Sequence, residues 1–217
     1  MEATLLVKIA SLQDGRYSDF EIKCEDRSWK VHRAILGPRS SFFEGCFANF
    51  EESTTNVVEL KDIIGGSQIV DFALQAIYTG QYCPAPADEP FSHHVRMFIF
   101  GDRHGIQDLA NQAVNQYGQQ VEATKADEFK HFADFSTAIG LIESVCQTSK
   151  KMRRKSLSLA TRCAKKLFGD TKDAKLFKEC LVESPAFAVD LCQKLALSSD
   201  AWKSAFASFP LNEMVDT

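Results

Sequence analysis

The sequence is short of nearly everything that marks a catalyst. No GxSxG, P-loop, GxGxxG or HExxH pattern occurs in it, so the exposed serine, phosphate cradle and paired zinc histidines that those spacings build have no support. Its 7 cysteines, at 24, 46, 83, 146, 163, 180 and 192, are odd in number and never spaced CxxC. That argues against a disulfide framework and against a zinc knuckle. His93-His94 and His104 lack cysteine neighbours at zinc-ligand spacing, and no metal or cofactor is expected. Long apolar runs are also missing: none approaches the roughly 20 residues that cross a bilayer. Met1–Ala10 has no basic region ahead of Leu5-Leu6-Val7, unlike a secretory signal. A cytoplasmic or nuclear chain that leaves membranes alone is expected. A net charge of −4 gives no general attraction to nucleic acid. There is no internal repeat and no low-complexity tract.

What is present suits a soluble globular protein, with 45% hydrophobic and 25% charged residues. At 217 residues the chain can bury the core of one large domain or of two small ones. The 17 phenylalanines imply several packed helical surfaces. Residues 2–12 suit a short helix with Leu5, Leu6 and Ile9 on one side. Phe20 and Ile22 alternate with polar neighbours, Glu25-Asp26-Arg27 suits a turn, and Trp29 and Val31 continue the period of two. That pattern predicts a hairpin. Helical spacing begins at His32 and stops at Gly37-Pro38. A second helix is expected from Ser40 or Ser41, with Ser41-x-x-Glu44 as a capping box. Asn56–Leu60 is a third strand candidate.

Ser67 is the expected cap of a helix carrying Ile69, Val70, Ala73, Leu74, Ile77 and Tyr78, ended by Gly80. After the proline-broken stretch Cys83–Pro90, helices are expected around 92–101 and 105–118. Beyond 119 the periodicity is helical only: Phe129, Phe132, Ile139, Ile142 and Val145, then Leu157, Ala160, Ala164 and Leu167, then Phe187, Leu191 and Leu195, with Trp202, Phe206 and Phe209 suiting a last helix.

These segments resemble a known family. Ser18-Asp19-Phe20 is similar to the S-D-hydrophobic opening of a BTB/POZ domain, and Val31-His32-Arg33-Ala34-Ile35-Leu36 to its first helix. Ser40-Ser41-Phe42-Phe43 resembles its S-x-x-F, Phe72-x5-Tyr78-Thr79-Gly80 its Y-T-G helix end, and Phe100–Leu109 its A-D-[KR]-[YF] block. Gly101 stands where that block usually has Ala, and His104 where it has an aromatic residue. Five matches in order are far more specific than any one. The second half, from Asp134-Phe135 to Phe187-Ala188-x-Asp190-Leu191, is similar to a BACK-like helical extension. The resemblance implies an α+β fold, a BTB/POZ domain over 1–118 with a small sheet covered by helices, then an all-helical extension over 119–217.

It also implies a protein-interaction module without catalytic chemistry, one that serves in some members as substrate adaptor of a cullin-RING ubiquitin ligase. In such adaptors a hydrophobic-x-acidic motif precedes the third strand. Phe50-Glu51-Glu52 occupies that place, so Phe50 and Glu52 are the candidate cullin contact. Against this stands a Phe50 tucked into the core beside solvated glutamates. Asp19 and Arg33 match a charged pocket of repressor-type members, and a structural pair is the favoured alternative. His32 is expected to be a satisfied core histidine. Leu5, Leu6 and Ile9 are a candidate dimer patch, although the short stretch ahead of Asp19 leaves little room for a swapped strand.

Lys150, Lys151, Arg153, Arg154 and Lys155 open a basic run that continues at Arg162, Lys165 and Lys166, with no acidic residue between 150 and 166. It suits a nuclear import signal or an acidic partner, and Arg153-Arg154-x-Ser156 suits a basophilic kinase. The solvated face of an amphipathic helix is the favoured account. Alternatives to the adaptor are a BTB-type transcriptional regulator and a self-associating scaffold. No client-binding module such as a kelch propeller is recognisable, so the client is left open.

Overall fold

The computed structural model of the chain describes residues 12, 14–48, 52–82, 84–144 and 150–197, with only the main chain at 52 and 53. Leu5, Leu6, Ile9, Phe50, Val145, Trp202, Phe206 and Phe209 lie outside the described residues.

Strands β1 (Phe20–Cys24) and β2 (Arg27–Val31) form the expected antiparallel hairpin, with Cys24 opposite Arg27. Glu25 holds φ 56 at the two-residue turn. Such turns need positive φ to match strand twist. Strand β3 (Val57–Glu59) joins β1 in parallel, giving the order β2-β1-β3. Between them lie the short helix α1 (Arg33–Leu36), a 3-10 turn at Gly37–Arg39, α2 (Ser41–Ala48) and α3 (Glu52–Thr55). Helix α4 (Gly66–Thr79) follows β3, then α5 (Ser92–Arg103) and α6 (Gln107–Ala123). The rest is helical among the described residues: α7 (Phe132–Ser144), α8 (Lys150–Arg162), α9 (Ala164–Leu167), α10 (Lys172–Glu183) and α11 (Pro185–Leu197). No described helix is long and apolar enough to cross a membrane.

The described residues form two compact units. One contains those up to Ala85 together with Arg96–Asn115; the other contains Pro86–Val95 and those from Gln116 onward. Phe20, Ile22, Val31, Leu36, Phe43, Val58 and Leu74 are buried in the core of the first. In the second, α7 packs on α10 and α8 on α11. There Phe91 meets Phe135 edge-on at 5.3 Å between ring centroids, and Phe135 stacks on Phe177 at 6.3 Å. Much of the phenylalanine content is therefore core, each buried ring contributing roughly 1.5–3 kcal/mol.

Three expected helix starts take a different form. Ser40, not Ser41, caps α2: its Oγ accepts the Phe43 N–H at 3.1 Å and donates to the His104 carbonyl at 2.7 Å. Ser67 does not cap α4. Gly65, at φ 93, opens that helix, and the Ser67 N–H is taken by the Glu25 carboxylate of the hairpin turn at 3.0 Å. An anion from a neighbouring turn does there what a cap residue does elsewhere. The start of α5 is capped from far along the chain. Asp134 accepts the N–H groups of Phe91 at 2.7 Å and Ser92 at 3.1 Å. Burial pushes this carboxyl above its usual range, against the hydrogen bonds that favour its charged form.

The two departures from the family block have a packing reason. Helix α5 ends in a Schellman motif: Ile106 N–H bonds the Gly101 carbonyl at 2.7 Å, Gly105 N–H that of Asp102 at 3.3 Å, and Gly105 sits at φ 60. The tight turn brings α6 against Gly101, where a Cβ would lie 2.9 Å from the Ala110 nitrogen. His104 takes the part of an aromatic residue. It stacks on Phe100 at 4.1 Å, meets Phe42 edge-on at 4.9 Å, and bonds the Phe100 carbonyl through Nδ1 at 2.8 Å.

Candidate protein-interaction site

His32 stands where β2 gives way to α1, and all its polar atoms are tied. Its Nε2 meets the Arg16 carbonyl at 2.8 Å and its Nδ1 the Tyr78 hydroxyl at 2.8 Å, while its main-chain N–H donates to that hydroxyl at 2.9 Å. A carbonyl only accepts, so in the neutral ring the proton sits on Nε2 and Tyr78 donates to Nδ1. Burial pushes the Tyr78 phenol up to about 12, partly offset by the His32 N–H. This is a closed structural network that joins α4 to the end of the hairpin, without a spare proton acceptor for chemistry.

Asp19 and Arg33 are brought together, but through the main chain. Asp19 Oδ1 accepts the Arg33 N–H at 2.8 Å, so an exposed carboxylate caps α1 from outside the helix. The Arg33 guanidinium turns toward β3. It donates to Asn56 Oδ1 and lies over the rings of Phe20 (5.2 Å) and Phe47 (5.4 Å). Asn56 holds φ 58 and passes its carbonyl to the Glu21 N–H at 2.9 Å. Arg33 thus ties α1 to the strand that closes the sheet. Glu52 opens α3 on the path from α2 to β3.

The basic run from Lys150 to Arg162 lies on α8, which buries Met152, Ser156, Leu157, Leu159 and Ala160, while Lys165 and Lys166 lie on α9. Arg153 is half-buried and chelated. Its Nε meets Glu143 at 2.6 Å and another guanidinium nitrogen meets Asp190. Lys155 pairs with Glu122. Lys150, Lys151 and Arg154 are exposed. Ser156 has no exposed surface. Its Oγ donates to the Met152 carbonyl at 3.0 Å and shares a 2.6 Å hydrogen bond with Tyr117. A kinase therefore cannot reach it while the helix is packed. The residue spacing identified the R-R-x-S pattern, but the helical phase that turns its serine inward decides the matter.

The His32 and Arg33 networks tie the small sheet ordered β2-β1-β3 to its helices. Residues 9–113, just under half of the chain, match the BTB/POZ domain. Over 138 residues it is 28% identical to Kelch-like protein 24a of Danio rerio, a match covering 63% of this chain and 22% of that protein. The chain thus aligns with little more than a fifth of this relative. The helices beyond the BTB/POZ span fit the BACK-like extension that the sequence suggests.

Proposed function

We propose that the chain is an adaptor that works by binding alone, coupling a scaffold to a client, and that the scaffold is the amino-terminal domain of a cullin in a RING ubiquitin ligase. The observation that carries this reading is the BTB/POZ match over residues 9–113, supported by similarity to a kelch-like protein. We assign the scaffold contact to Phe50 and Glu52, ahead of β3. An aromatic residue near a carboxylate is the residue chemistry of a hot spot that pairs with a basic partner residue. The BTB/POZ part is taken as 1–118 and the helical part as 119–217, with the client contact made by the helical part or by a second chain. Self-association through Leu5, Leu6 and Ile9 is compatible with this scheme, and so is a cytoplasmic or nuclear setting.

The test is a binding titration of a cullin amino-terminal domain against the chain and against its Phe50→Ala/Glu52→Ala variant. The expected result is binding that weakens at least about tenfold in the variant, as loss of a hot spot costs, with unchanged circular dichroism. A wild-type chain that does not bind overturns the proposal.

A further inference from the structure

The helical unit contains a pocket of about 780 Å³ between the 126–132 segment and α8, α9 and the start of α10. That is the size of a small-ligand or side-chain site. Phe129, Phe132 and Cys163, all buried, lie in its lining. Burial pushes the Cys163 thiol up to about 11, so this wall is an uncharged, apolar surface at neutral pH. Arg162, Lys165 and Lys166 line it as well. Two of these cations spend their hydrogen bonds on neutral groups: Arg162 on the carbonyls of Val121 and Thr124, Lys166 on those of Asp127 and Phe129. Those bonds fix the ammonium and guanidinium beside the apolar wall with no carboxylate of the described residues in salt-bridge contact, an electrostatic partner of Arg162 being Glu122 outside the lining, and Lys165 is exposed there. Asp127 and Asp173 also lie in the lining, both exposed. The cations therefore outnumber the carboxylates.

We propose that this pocket is a peptide seat that takes one large apolar side chain flanked by carboxylates, the apolar group against Phe129 and Phe132 and the acids on the Lys165 side. Naming the occupant as a client segment rests on the adaptor reading; the seat itself does not. Fixed cations at the mouth of an apolar pocket favour an acidic partner and select against a basic one.

The test uses the full chain and synthetic peptides, with no cullin present, so it can fail or succeed independently of the scaffold contact. Acetyl-Glu-Leu-Phe-Glu-amide, its Lys-Leu-Phe-Lys counterpart and Glu-Gly-Gly-Glu are titrated by NMR. The first is expected to bind, with shifts at Ala126 and Cys163, and the other two to bind at least about tenfold more weakly. Lys165→Glu, a change at an exposed site checked for an unchanged fold by circular dichroism, is expected to weaken the first peptide roughly fivefold or more. Lys151→Glu, on the same basic run outside the lining, is expected to leave binding unchanged. Equal binding of the acidic and basic peptides, no binding of the first at millimolar concentration, or equal losses in the two variants would overturn the proposal.

Discussion

Replacing a glycine inside a helix with alanine normally gains stability, by about 1 kcal/mol. Gly101→Ala is expected to do the opposite. Its Cβ would stand 2.9 Å from the Ala110 nitrogen and 3.2 Å from the Ala110 Cα and Cβ. The first two are main-chain atoms of α6, held by the turn that Gly105 closes, so no side-chain rotation relieves the overlap. Forcing the helices apart costs roughly 1–3 kcal/mol, which outweighs or cancels the propensity gain. Gly140 is the control. It lies inside α7, and a Cβ there meets nothing within 4 Å, so Gly140→Ala should gain the full increment of about 1 kcal/mol. Guanidinium unfolding followed by circular dichroism is the assay. The midpoint should fall, or at best hold, for Gly101→Ala and rise for Gly140→Ala, a separation of about 1–3 kcal/mol. If Gly101→Ala stabilises as much as Gly140→Ala does, the close approach of α5 and α6 is wrong.

Three further expectations follow from buried polar groups. His94 is buried and held down to about 4, first by burial and then by His93, and burial lowers His104 as well. The unfolded chain therefore takes up protons that the folded chain refuses, and stability present above about pH 6.5 is lost as the pH falls toward 4. For His94 the loss approaches about 3 kcal/mol. Denaturant midpoints measured between pH 7.5 and 4.5 should show it, and His94→Phe should flatten the slope. Asp134→Asn replaces one acceptor at the start of α5 with a donor facing an N–H, and should cost about 1–3 kcal/mol in the same assay. A basophilic kinase should phosphorylate a peptide of residues 150–160 at Ser156 and leave the intact folded chain unmodified there, as read by mass spectrometry; labelling of the folded chain would mean that α8 is packed otherwise.

The hairpin, the β3 position and most helix positions were legible in the sequence because each is a local pattern: alternation at Phe20–Val31, helical spacing at Ile69–Tyr78, a glycine stop at Gly80. The caps were less legible. Ser40 and Ser41 are adjacent, and local spacing cannot decide which one faces the helix. The Glu25 and Asp134 caps come from residues distant in sequence, and nothing local marks a carboxylate as the partner of an N–H about 40 positions away. Asp19 and Arg33 were legible as a pair, but not as a main-chain cap and a separate guanidinium tie. The basic run was legible as charge. Its division between chelated Arg153, paired Lys155 and exposed Lys150, Lys151 and Arg154 depends on tertiary partners at Glu143, Asp190 and Glu122.

The central claim is that the BTB/POZ part holds a cullin scaffold. Size-exclusion chromatography with light scattering, on the chain mixed with a cullin amino-terminal domain, tests it most directly. The account predicts a co-eluting species whose mass is the sum of the two proteins, or twice that sum if the chain self-associates, and which is lost with Phe50→Ala/Glu52→Ala. Separate elution of the wild-type chain and the cullin domain at micromolar concentration would contradict it.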